Sequence, residues 1–504
     1  MNTTKMTKLR VIPMPKHVIG EKEDGTFERI GVLPRIYTEC AEWQVYADAF
    51  ADLAEKVHGV AFENAEGGIR LCRKEQFKSG EYYIEGADAV LYASDDAGIT
   101  YALSSLLQML EGENGSLTLP ACDIQDKPDS PFRSLMVDLS RQWHPFERLF
   151  EYVDLCYLYK INYLHLHFID TQTYTLPSDV FPLLPTKDRS YTKEQIAELN
   201  AYALTRHVEL IPEIEVPGHA AAMVNAYPEL FANTPDGDST GNSYTLVNDT
   251  HKNNIICIGK PGIMDNIKKI VCEILEMFPR SRYLHIGGDE ATISDWETCR
   301  DCKRYMKEHG IPNVRHMYSR FVKDMTDLVL GLGVTPIVWE GFPKEGSEDI
   351  SRDVLVIAWE SYYQFAPDLL EAGFDLINAS WQPLYIVPSK RRRWDYKDIL
   401  AWNVYNWQHW YPKSEAHLNP IHVQPTEKVK GGLLCAWECT YEQEIERVRE
   451  NLAAMSERTW NIRRYAEDEE FREKLDAILP LARNLALKGD IEKAEFSTDI
   501  TEYV

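Results

Sequence analysis

The sequence predicts an α/β protein whose main body is a (β/α)8 (TIM) barrel, preceded by a small α/β domain and followed by a C-terminal helical extension. Eight apolar runs of strand length alternate with helical segments after residue 131, which is the element order of such a barrel. Two prolines within 127–131 can continue neither a helix nor a central strand, so they mark a linker. With 504 residues, 44% of them hydrophobic, the chain is long enough to hold more than one domain.

Residues 1–127 have the pattern of a small, non-catalytic α/β domain. Short apolar runs at 82–84 and 89–92 predict strands, and an amphipathic stretch at 97–110 predicts a helix. Nothing in this part of the sequence has the pattern of a catalytic site. We therefore expect the active site to lie in the barrel.

The predicted barrel covers 131–463. One helix within it is predicted at 314–329, where apolar side chains recur every three or four residues and form a core-facing stripe rather than a cofactor site. The segment from Tyr441 onward has the same spacing, so it is predicted to close the barrel and to continue as a charged helical extension over 464–504. The eight strands are predicted at 134–139, 163–169, 208–214, 283–287, 335–339, 354–359, 374–379 and 432–436.

The charge balance limits the classes of ligand. The chain has 54 basic and 79 acidic residues, for a formal net charge of −25, which argues against nucleic acid or an anionic membrane as a partner. A soluble, neutral or cationic ligand is favoured instead. The N-terminal segment carries positive charge with no apolar run behind it, and no window approaches eighteen unbroken apolar residues. These features predict a cytoplasmic protein.

The cysteines predict reduced thiols. Ten cysteines are few for this length, and several lie inside apolar runs, as buried thiols do. Cys299 and Cys302 form a single CxxC motif. Because no second pair occurs at the spacing of a zinc site, we interpret this motif as structural.

The most informative local pattern is a pair of acids at the end of the fourth predicted strand. The strand runs through Gly287 and Gly288 directly into Asp289 and Glu290. Neighbouring side chains on a regular strand point to opposite faces, whereas a glycine pair can turn both carboxylates toward one ligand. Two adjacent carboxylates suit proton transfer combined with charge stabilisation.

Three further predicted strands end in an aromatic residue followed by an acid. Because the carboxyl ends of barrel strands meet at one rim, three tryptophans there suggest flat apolar walls around a ligand ring. Sugars have such apolar faces. The three pairs are Trp339-Glu340, Trp359-Glu360 and Trp437-Glu438.

Histidines near the same rim allow two interpretations. His165 and His167 lie on one side of the second predicted strand. His219 follows the third strand, and His285 lies on the fourth. Such a set could bind a metal ion, as in metal-dependent amidohydrolase barrels. Histidines held against carboxylates to orient them would account for the same residues. The spacing alone leaves both interpretations open.

Taken together, the motifs resemble glycoside hydrolase family 20, the β-N-acetylhexosaminidases. The similarity covers both domains, because the segment 11–121 resembles the non-catalytic module that precedes the barrel in this family. His285 to Glu290 reproduces the family's central His-x-Gly-Gly-Asp-Glu motif in full. The other stretches that resemble family motifs are 133–141, 162–176 and 212–219.

The resemblance implies an exo-acting, retaining hydrolase that removes terminal β-linked GlcNAc or GalNAc from an oligosaccharide or glycoconjugate, with no cofactor and no metal. In this family the substrate's own acetamido group attacks, so the protein supplies no nucleophile. Glu290 corresponds to the general acid and base, and Asp289 to the residue that holds the acetamido N–H. Tyr385 corresponds to the tyrosine that hydrogen-bonds the acetamido oxygen.

Other motif positions imply further roles. Arg133 corresponds to the arginine that holds the outer hydroxyls of the terminal sugar. The remaining implied site residues are Asp170, His219, Trp339, Trp359, Trp437 and Glu438 as substrate contacts, walls or links to the acid, and His167, Glu215 and His285 as supporting residues.

Several positions depart from the family pattern. Val387 stands where an aspartate usually binds the outer hydroxyls, and Glu438 directly follows its tryptophan instead of standing one position later, where Cys439 is found. Tyr174 and Ser134 replace a tryptophan and a glycine. These changes spare the residues that handle the acetamide. Linkage, aglycone, the choice between GlcNAc and GalNAc, and the oligomeric state stay open.

The run 390–393 is strongly basic in an otherwise acidic chain. It is either a solvated loop tip or a loop that binds an anionic substituent of the sugar. Two other functions stay open beside the hydrolase. One is a metal-dependent amidohydrolase, and the other is a non-catalytic barrel that binds N-acetylhexosamine without turnover.

Overall fold

The computed structural model of this chain describes residues 6–113, 116–235, 255–389, 392–464 and 467–486. The elements of the leading domain are β1 (Met6–Thr7), β2 (His17–Ile19), β3 (Phe27–Val32), β4 (Arg35–Thr38), α1 (Gln44–His58), β5 (Glu63–Asn64), β6 (Ile69–Arg73), β7 (Tyr82–Glu85), β8 (Val90–Ala93), α2 (Asp96–Met109), β9 (Glu111–Glu113), β10 (Ser116–Pro120) and β11 (Asp123–Asp126). They form two sheets, with strand orders β1-β3-β10-β9 and β2-β11-β7-β8-β6-β4-β5. The predicted strands at 82–84 and 89–92 and the predicted helix at 97–110 correspond to β7, β8 and α2.

The barrel consists of eight parallel strands, and it closes because the first and the last strand pair with each other. This confirms the predicted fold class. All eight predicted strands are present with bounds that shift by a few residues at their ends. They are β12 (Phe132–Asp138), β13 (Tyr163–His167), β14 (Glu209–Glu213), β15 (Tyr283–His285), β16 (Thr335–Trp339), β17 (Leu355–Ala358), β18 (Asp375–Asn378) and β22 (Val429–Ala436). Three short strands lie between β18 and β22 in the chain: β19 (Tyr385–Ile386), β20 (Asn406–Trp407) and β21 (Ile421–His422).

Amphipathic helices surround the barrel and bury their apolar faces on it. In α9, the helix predicted from its apolar stripe, Met317, Phe321, Met325 and Val329 are all buried. The barrel helices are α3 (Phe146–Leu158), α4 (Lys193–Thr205), α5 (Ala221–Ala226), α6 (Pro228–Phe231), α7 (Ile263–Met277), α8 (Arg300–His309), α9 (Val314–Gly331), α10 (Ala366–Glu371), α11 (Trp381–Leu384), α12 (Tyr396–Ala401) and α13 (Tyr441–Trp460). No helix among the described residues is both long enough and apolar enough to cross a bilayer.

The C-terminal extension begins with α14 (Asp468–Leu485), which packs on α1 of the leading domain and on α3 and α13 of the barrel. Its Phe471, Leu475, Ile478 and Leu479 are buried. The extension therefore connects the two domains. The rest of the predicted extension, 487–504, lies outside the described residues.

A seam of buried charged groups joins the leading domain to the amino-terminal end of the barrel. Asp126 accepts a hydrogen bond of 3.0 Å from the indole of Trp460 at the end of α13. Arg133, at the start of β12, donates to the hydroxyl of Tyr101 at 2.6 Å, and its guanidinium lies 5.2 Å from the Trp460 ring centre. Burial lowers the pKa of the nearby Lys160 to about 8, although Asp126 opposes this. We name Asp126, Arg133, Lys160 and Trp460 the domain seam.

Candidate active site

A cavity of about 440 Å³ opens at the carboxyl end of the barrel strands. This is the rim at which the predicted acids and tryptophans were expected to meet. Among the predicted site residues, the cavity is lined by Asp289, Glu290, Trp339, Trp359, Tyr385, Trp437 and Glu438.

The glycine pair before the two acids is required by space as well as by backbone conformation. Gly287 and Gly288 have φ values of 71° and 93°, which side chains rarely tolerate. A Cβ atom on Gly287 would lie 2.0 Å from Glu215 Oε1, and one on Gly288 would lie 2.7 Å from a methyl group of Val338. Glu290 itself has φ of 42°. This left-handed turn brings both carboxylates to the same cavity.

Asp289 is the more buried of the two acids. Burial, with the negative charge of Glu290 acting in the same direction, raises the pKa of Asp289 to about 6, although His219 opposes the shift. Burial and the charge of Asp289 raise the pKa of Glu215 well above its usual value. The Glu215 side chain hydrogen-bonds Asp289, while its Oε1 accepts from the N–H of Gly288 at 3.1 Å. Asp289 Oδ1 has no hydrogen-bond partner among the described residues, which leaves it available to a ligand.

His219 connects the two acids to the interior of the barrel. Its Nε2 lies 3.3 Å from Glu290 Oε2 and 3.7 Å from Asp289 Oδ2, and its Nδ1 lies 3.3 Å from Asp170 Oδ1. Burial would lower the pKa of His219, but Asp170 and the two acids raise it well above its usual value. A protonated His219 fixes the position of Glu290, whose side chain is about a third exposed (32%).

Asp170 continues this network away from the cavity. Burial would raise its pKa, but Arg141 and His219 hold it well below its usual value. His167 Nε2 lies 2.8 Å from Asp170 Oδ2. Although burial opposes it, Glu213 and Asp170 raise the pKa of His167 to about 10. Charges of opposite sign therefore alternate from Glu213 through His167, Asp170 and His219 to the acids.

The other histidines surround Glu213 at the centre of the barrel. His285 Nδ1 lies 2.8 Å from Glu213 Oε1, His165 Nε2 lies 3.0 Å from Oε2, and the indole of Trp339 donates to Oε1 at 2.7 Å. His165, Glu213 and His285 lie close enough together to share a metal ion. Both Glu213 oxygens have hydrogen-bond partners, Trp339 at Oε1 and His167 Nδ1 at Oε2, which favours the interpretation of histidines held against a carboxylate.

Aromatic rings form the walls of the cavity. The ring planes of Trp359 and Tyr385 are within 13° of parallel at a centroid distance of 6.2 Å, and Trp381 stacks on Tyr385 at 4.7 Å. Trp437 lies 5.8 Å from Trp339 across the floor of the site. Such a box fits the apolar face of a sugar ring.

The acids of the three aromatic-acid pairs have different environments. Glu340 accepts hydrogen bonds from five consecutive backbone N–H groups, those of residues 360–364, at 2.8 to 3.4 Å. It therefore holds the loop that follows β17. Glu360, at the start of that loop, faces the cavity. Burial, together with Glu290 and Glu340, raises its pKa to about 9, so Glu360 is protonated at neutral pH.

The prediction that Arg133 binds the sugar is wrong. Arg133 lies at the start of β12, at the opposite end of the barrel from the cavity, and belongs to the domain seam. Its guanidinium also donates to the carbonyls of Ser130 and Lys160. The arginine at the cavity is Arg141, which follows the end of the same strand.

Arg141 is held at the rim by several contacts. Its Nη1 lies 2.9 Å from Asp170 and 3.2 Å from Asp138, and its guanidinium lies 5.1 Å from the Trp437 ring centre. Glu438 Oε1 lies 3.8 Å from Arg141 Nε. Glu438 has φ of 61°, and this bend directs it to the cavity although it directly follows Trp437.

The segment 381–410 adds residues to the cavity. Sequence reasoning did not select Trp381 and Trp410, which line it; their signal in the sequence is the tryptophan-rich composition of this segment. Arg392, from the basic run 390–393, also lines the cavity, and its guanidinium lies 3.2 Å from the Trp410 ring centre. Val387 also lines the cavity. Of the basic run 390–393, Lys390 and Arg391 lie outside the described residues.

Both domains of the chain are similar to known proteins. The sequence model described as glycosyl hydrolase family 20, catalytic domain, matches residues 131–463, and the model described as glycosyl hydrolase family 20, domain 2, matches residues 8–127. A β-hexosaminidase of Vibrio furnissii is 26% identical over 407 residues, covering 76% of this chain and 65% of that protein. One of Akkermansia muciniphila is 32% identical over 311 residues, covering 57% of this chain and 60% of that protein.

This chain thus spans less than two thirds of the length of these two relatives. Among solved structures, the family 20 exo-β-N-acetylglucosaminidase of Vibrio harveyi in complex with N-acetylglucosamine has a similar fold. The TM-score is 0.79 at 20% sequence identity, and the alignment covers 96% of this chain and 78% of that one.

Proposed function

Because the chain belongs to glycosyl hydrolase family 20, we propose that it is an exo-acting β-N-acetylhexosaminidase that removes terminal β-linked GlcNAc or GalNAc from oligosaccharides or glycoconjugates. The observation that carries the proposal is the placement of Asp289 and Glu290 in one aromatic cavity, with His219 between them and the barrel interior. Family membership also removes the amidohydrolase alternative.

Glu290 is the proposed general acid and base. Its partial exposure lets it reach a leaving group at the cavity mouth, while His219 holds its carboxylate from behind. It donates a proton to the glycosidic oxygen as the bond to the anomeric carbon breaks. It then takes a proton from the water that attacks in the second step.

The proposed nucleophile is the acetamido oxygen of the substrate. Asp289 Oδ1 accepts the acetamido N–H, and the hydroxyl of Tyr385, which burial keeps neutral by raising its pKa, donates to the acetamido oxygen. The oxygen forms a bond to the anomeric carbon while the glycosidic bond breaks, which gives an oxazolinium ion that water opens. Holding the group in place makes this step intramolecular.

The other acids of the cavity support this assignment. Glu360 is protonated at neutral pH because its pKa is about 9, and a protonated carboxyl is a poor nucleophile. Glu438 lies beside the guanidinium of Arg141. Glu360 is therefore not suited to form a covalent bond with the sugar at neutral pH.

We further propose that the outer part of the cavity accepts an anionic substituent, such as a 6-sulfate, on the terminal sugar. Val387 stands where the family usually has an aspartate, so this wall lacks that hydrogen-bond acceptor and its negative charge. Arg392 contributes a cation to the same wall. This specificity rests on the proposed hydrolase activity.

A panel of chromogenic β-glycosides tests the proposal. We expect hydrolysis of β-GlcNAc or β-GalNAc substrates and no hydrolysis of the matching glucoside or galactoside, which lack the acetamido group. Binding of N-acetylglucosamine without hydrolysis of any glycoside would favour the non-catalytic barrel. Rapid cleavage of plain glucosides would contradict the assignment of the nucleophile.

A cytoplasmic location is proposed as well. None of the ten cysteines forms a disulfide in the structure, which suits a reducing compartment. Cell fractionation with an antibody to the chain would test this, and recovery of the protein in the medium would contradict it.

A further inference from the structure

Three cysteines from two separate segments meet beside the loops that carry the catalytic acids. Cys257 Sγ lies 3.4 Å from Cys299 Sγ and 3.6 Å from Cys302 Sγ, and all three side chains are buried. The CxxC motif therefore has a third sulfur, which comes from 42 residues upstream of Cys299. We name these three residues the cysteine cluster.

We propose that the cysteine cluster binds one zinc ion that fixes the loops on either side of the catalytic acids. The sulfur separations are close to the edge of a zinc–thiolate tetrahedron, which is about 3.8 Å for zinc–sulfur bonds of about 2.3 Å. A disulfide would need a separation of about 2.05 Å and would leave one of the three sulfurs without a partner. Binding releases the three thiol protons.

Polar groups around the sulfurs suit thiolate ligands. The backbone N–H of Thr234 points to Cys299 Sγ at 3.4 Å, and N–H donors of this kind stabilise metal-bound sulfur. Cys299 and Cys302 also lie at the amino-terminal end of α8, where the helix dipole favours negative charge. Asn233 Oδ1 lies 3.9 Å from Cys302 Sγ. This oxygen, or a water molecule that it holds, is the proposed fourth ligand.

The backbone is packed to bring the two segments together. A Cβ atom on Gly259 would lie 2.6 Å from backbone atoms of Asp301 and Cys302, so the loop after Cys257 rests directly on the start of α8. Asp301 accepts a hydrogen bond of 2.9 Å from the hydroxyl of Thr234. Thr234 and Asp301, which lie beside the sulfurs, are therefore held in place before a metal ion enters.

The position of the cluster explains what the ion would do. Ile256, next to Cys257, donates to the carbonyl of Pro217 at 2.9 Å, two residues before His219. The carbonyl of Ile256 accepts from the indole of Trp296, six residues after Glu290. A zinc ion at the cluster would thus fix the loop of His219 and the loop of Glu290 relative to each other. It would play no part in the chemical step.

Metal analysis of the full-length protein tests the proposal. We expect about one zinc ion per chain after purification without added metal, and X-ray absorption should show about three sulfur neighbours near 2.3 Å with one lighter atom. Cys257→Ser should lower the zinc content to below about a tenth of an ion per chain. The matched control, Cys272→Ser, changes a cysteine of α7 outside the cluster and should retain the full content.

Two measurements on the unaltered protein keep the test valid if Cys257→Ser does not fold. Native mass spectrometry should show the chain with one bound zinc, and chelation should lower the melting temperature by several degrees, with recovery when zinc is added back. A metal-free chain with ten titratable thiols would mean that the cluster is only a group of core cysteines. Eight titratable thiols would indicate a disulfide. Zinc bound only by nitrogen and oxygen, or retained by Cys257→Ser, would place the ion at another site. Each of these three results would overturn the proposal.

Discussion

Replacing Glu360 by glutamine should stabilise the folded protein, and the gain should grow with pH. The pKa of Glu360 is raised from an ordinary value near 4.5 to about 9, because the side chain is buried and lies near Glu290 and Glu340. The folded state therefore binds this proton more tightly than the unfolded state does. The stability that depends on it is fully present below about pH 4.5 and is lost as the pH rises toward about 9. Glutamine has the same shape and does not titrate.

The size of the effect follows from the shift. Each pH unit between the two pKa values corresponds to about 1.4 kcal/mol, so the upper bound at pH 8 is about 5 kcal/mol. Because the shift depends in part on the charges of neighbouring carboxyl groups, we expect a difference smaller than this bound, of about 1 to 3 kcal/mol. Near pH 5 the difference should be close to zero.

Urea unfolding of the wild type and of Glu360→Gln at about pH 5, 6.5 and 8 would measure this difference. Glu371→Gln, at an exposed position at the end of α10, is the matched control and should give the same small difference at every pH. If Glu360→Gln shows a constant difference across the three pH values, Glu360 is not protonated in the folded state. The argument against Glu360 as a nucleophile would then fail.

Three further predictions concern catalysis and specificity. Glu290→Gln should lower kcat by about 10²- to 10⁴-fold for substrates with poor leaving groups and far less for activated phenyl glycosides. Equal losses on both kinds of substrate would contradict the role of Glu290 as the acid. Asp289→Asn should lower kcat over the same range with both kinds of substrate, since Asp289 acts on the acetamide. A thiazoline that mimics the cyclised intermediate should inhibit competitively and much more tightly than N-acetylglucosamine, whereas a sugar trapped on a protein carboxylate would contradict substrate assistance. Arg392→Ala should abolish the preference in kcat/KM for 6-sulfated substrates, and added salt should weaken that preference in the wild type. The control is Arg393→Ala, at the exposed neighbouring position. An unchanged preference in Arg392→Ala would show that the basic loop does not bind the sulfate.

The sequence was most informative where function depends on local order. The barrel strands are buried on both faces, so they appear as continuous apolar runs that can be recognised without tertiary information. The motif from His285 to Glu290 is equally local, because the turn, the two acids and the required glycines all lie within six residues.

Sequence reasoning failed for residues whose place in the fold depends on the exact bounds of a strand or on contacts between distant parts of the chain. Arg133 lies at the start of β12 and Arg141 follows its end, and only the strand bounds show that these eight residues separate opposite ends of the barrel. Trp381 and Trp410 reach the cavity from a loop whose path no periodic pattern specifies. Cys257 joins the CxxC motif only through folding, since 42 residues separate it from Cys299.

The domain seam has a consequence for how the protein can be divided. Arg133 and Lys160 come from the barrel, while Asp126 and Tyr101 come from the leading domain. Cutting the chain at the linker would therefore leave buried charged groups without their partners in both fragments. No described residue of the leading domain lines the cavity, yet this domain contacts the start of the first barrel strand through Tyr101 and Arg133. The two domains should therefore unfold in a single cooperative transition. Exchanging the leading domain for that of a distant relative would require the seam residues to be exchanged with it.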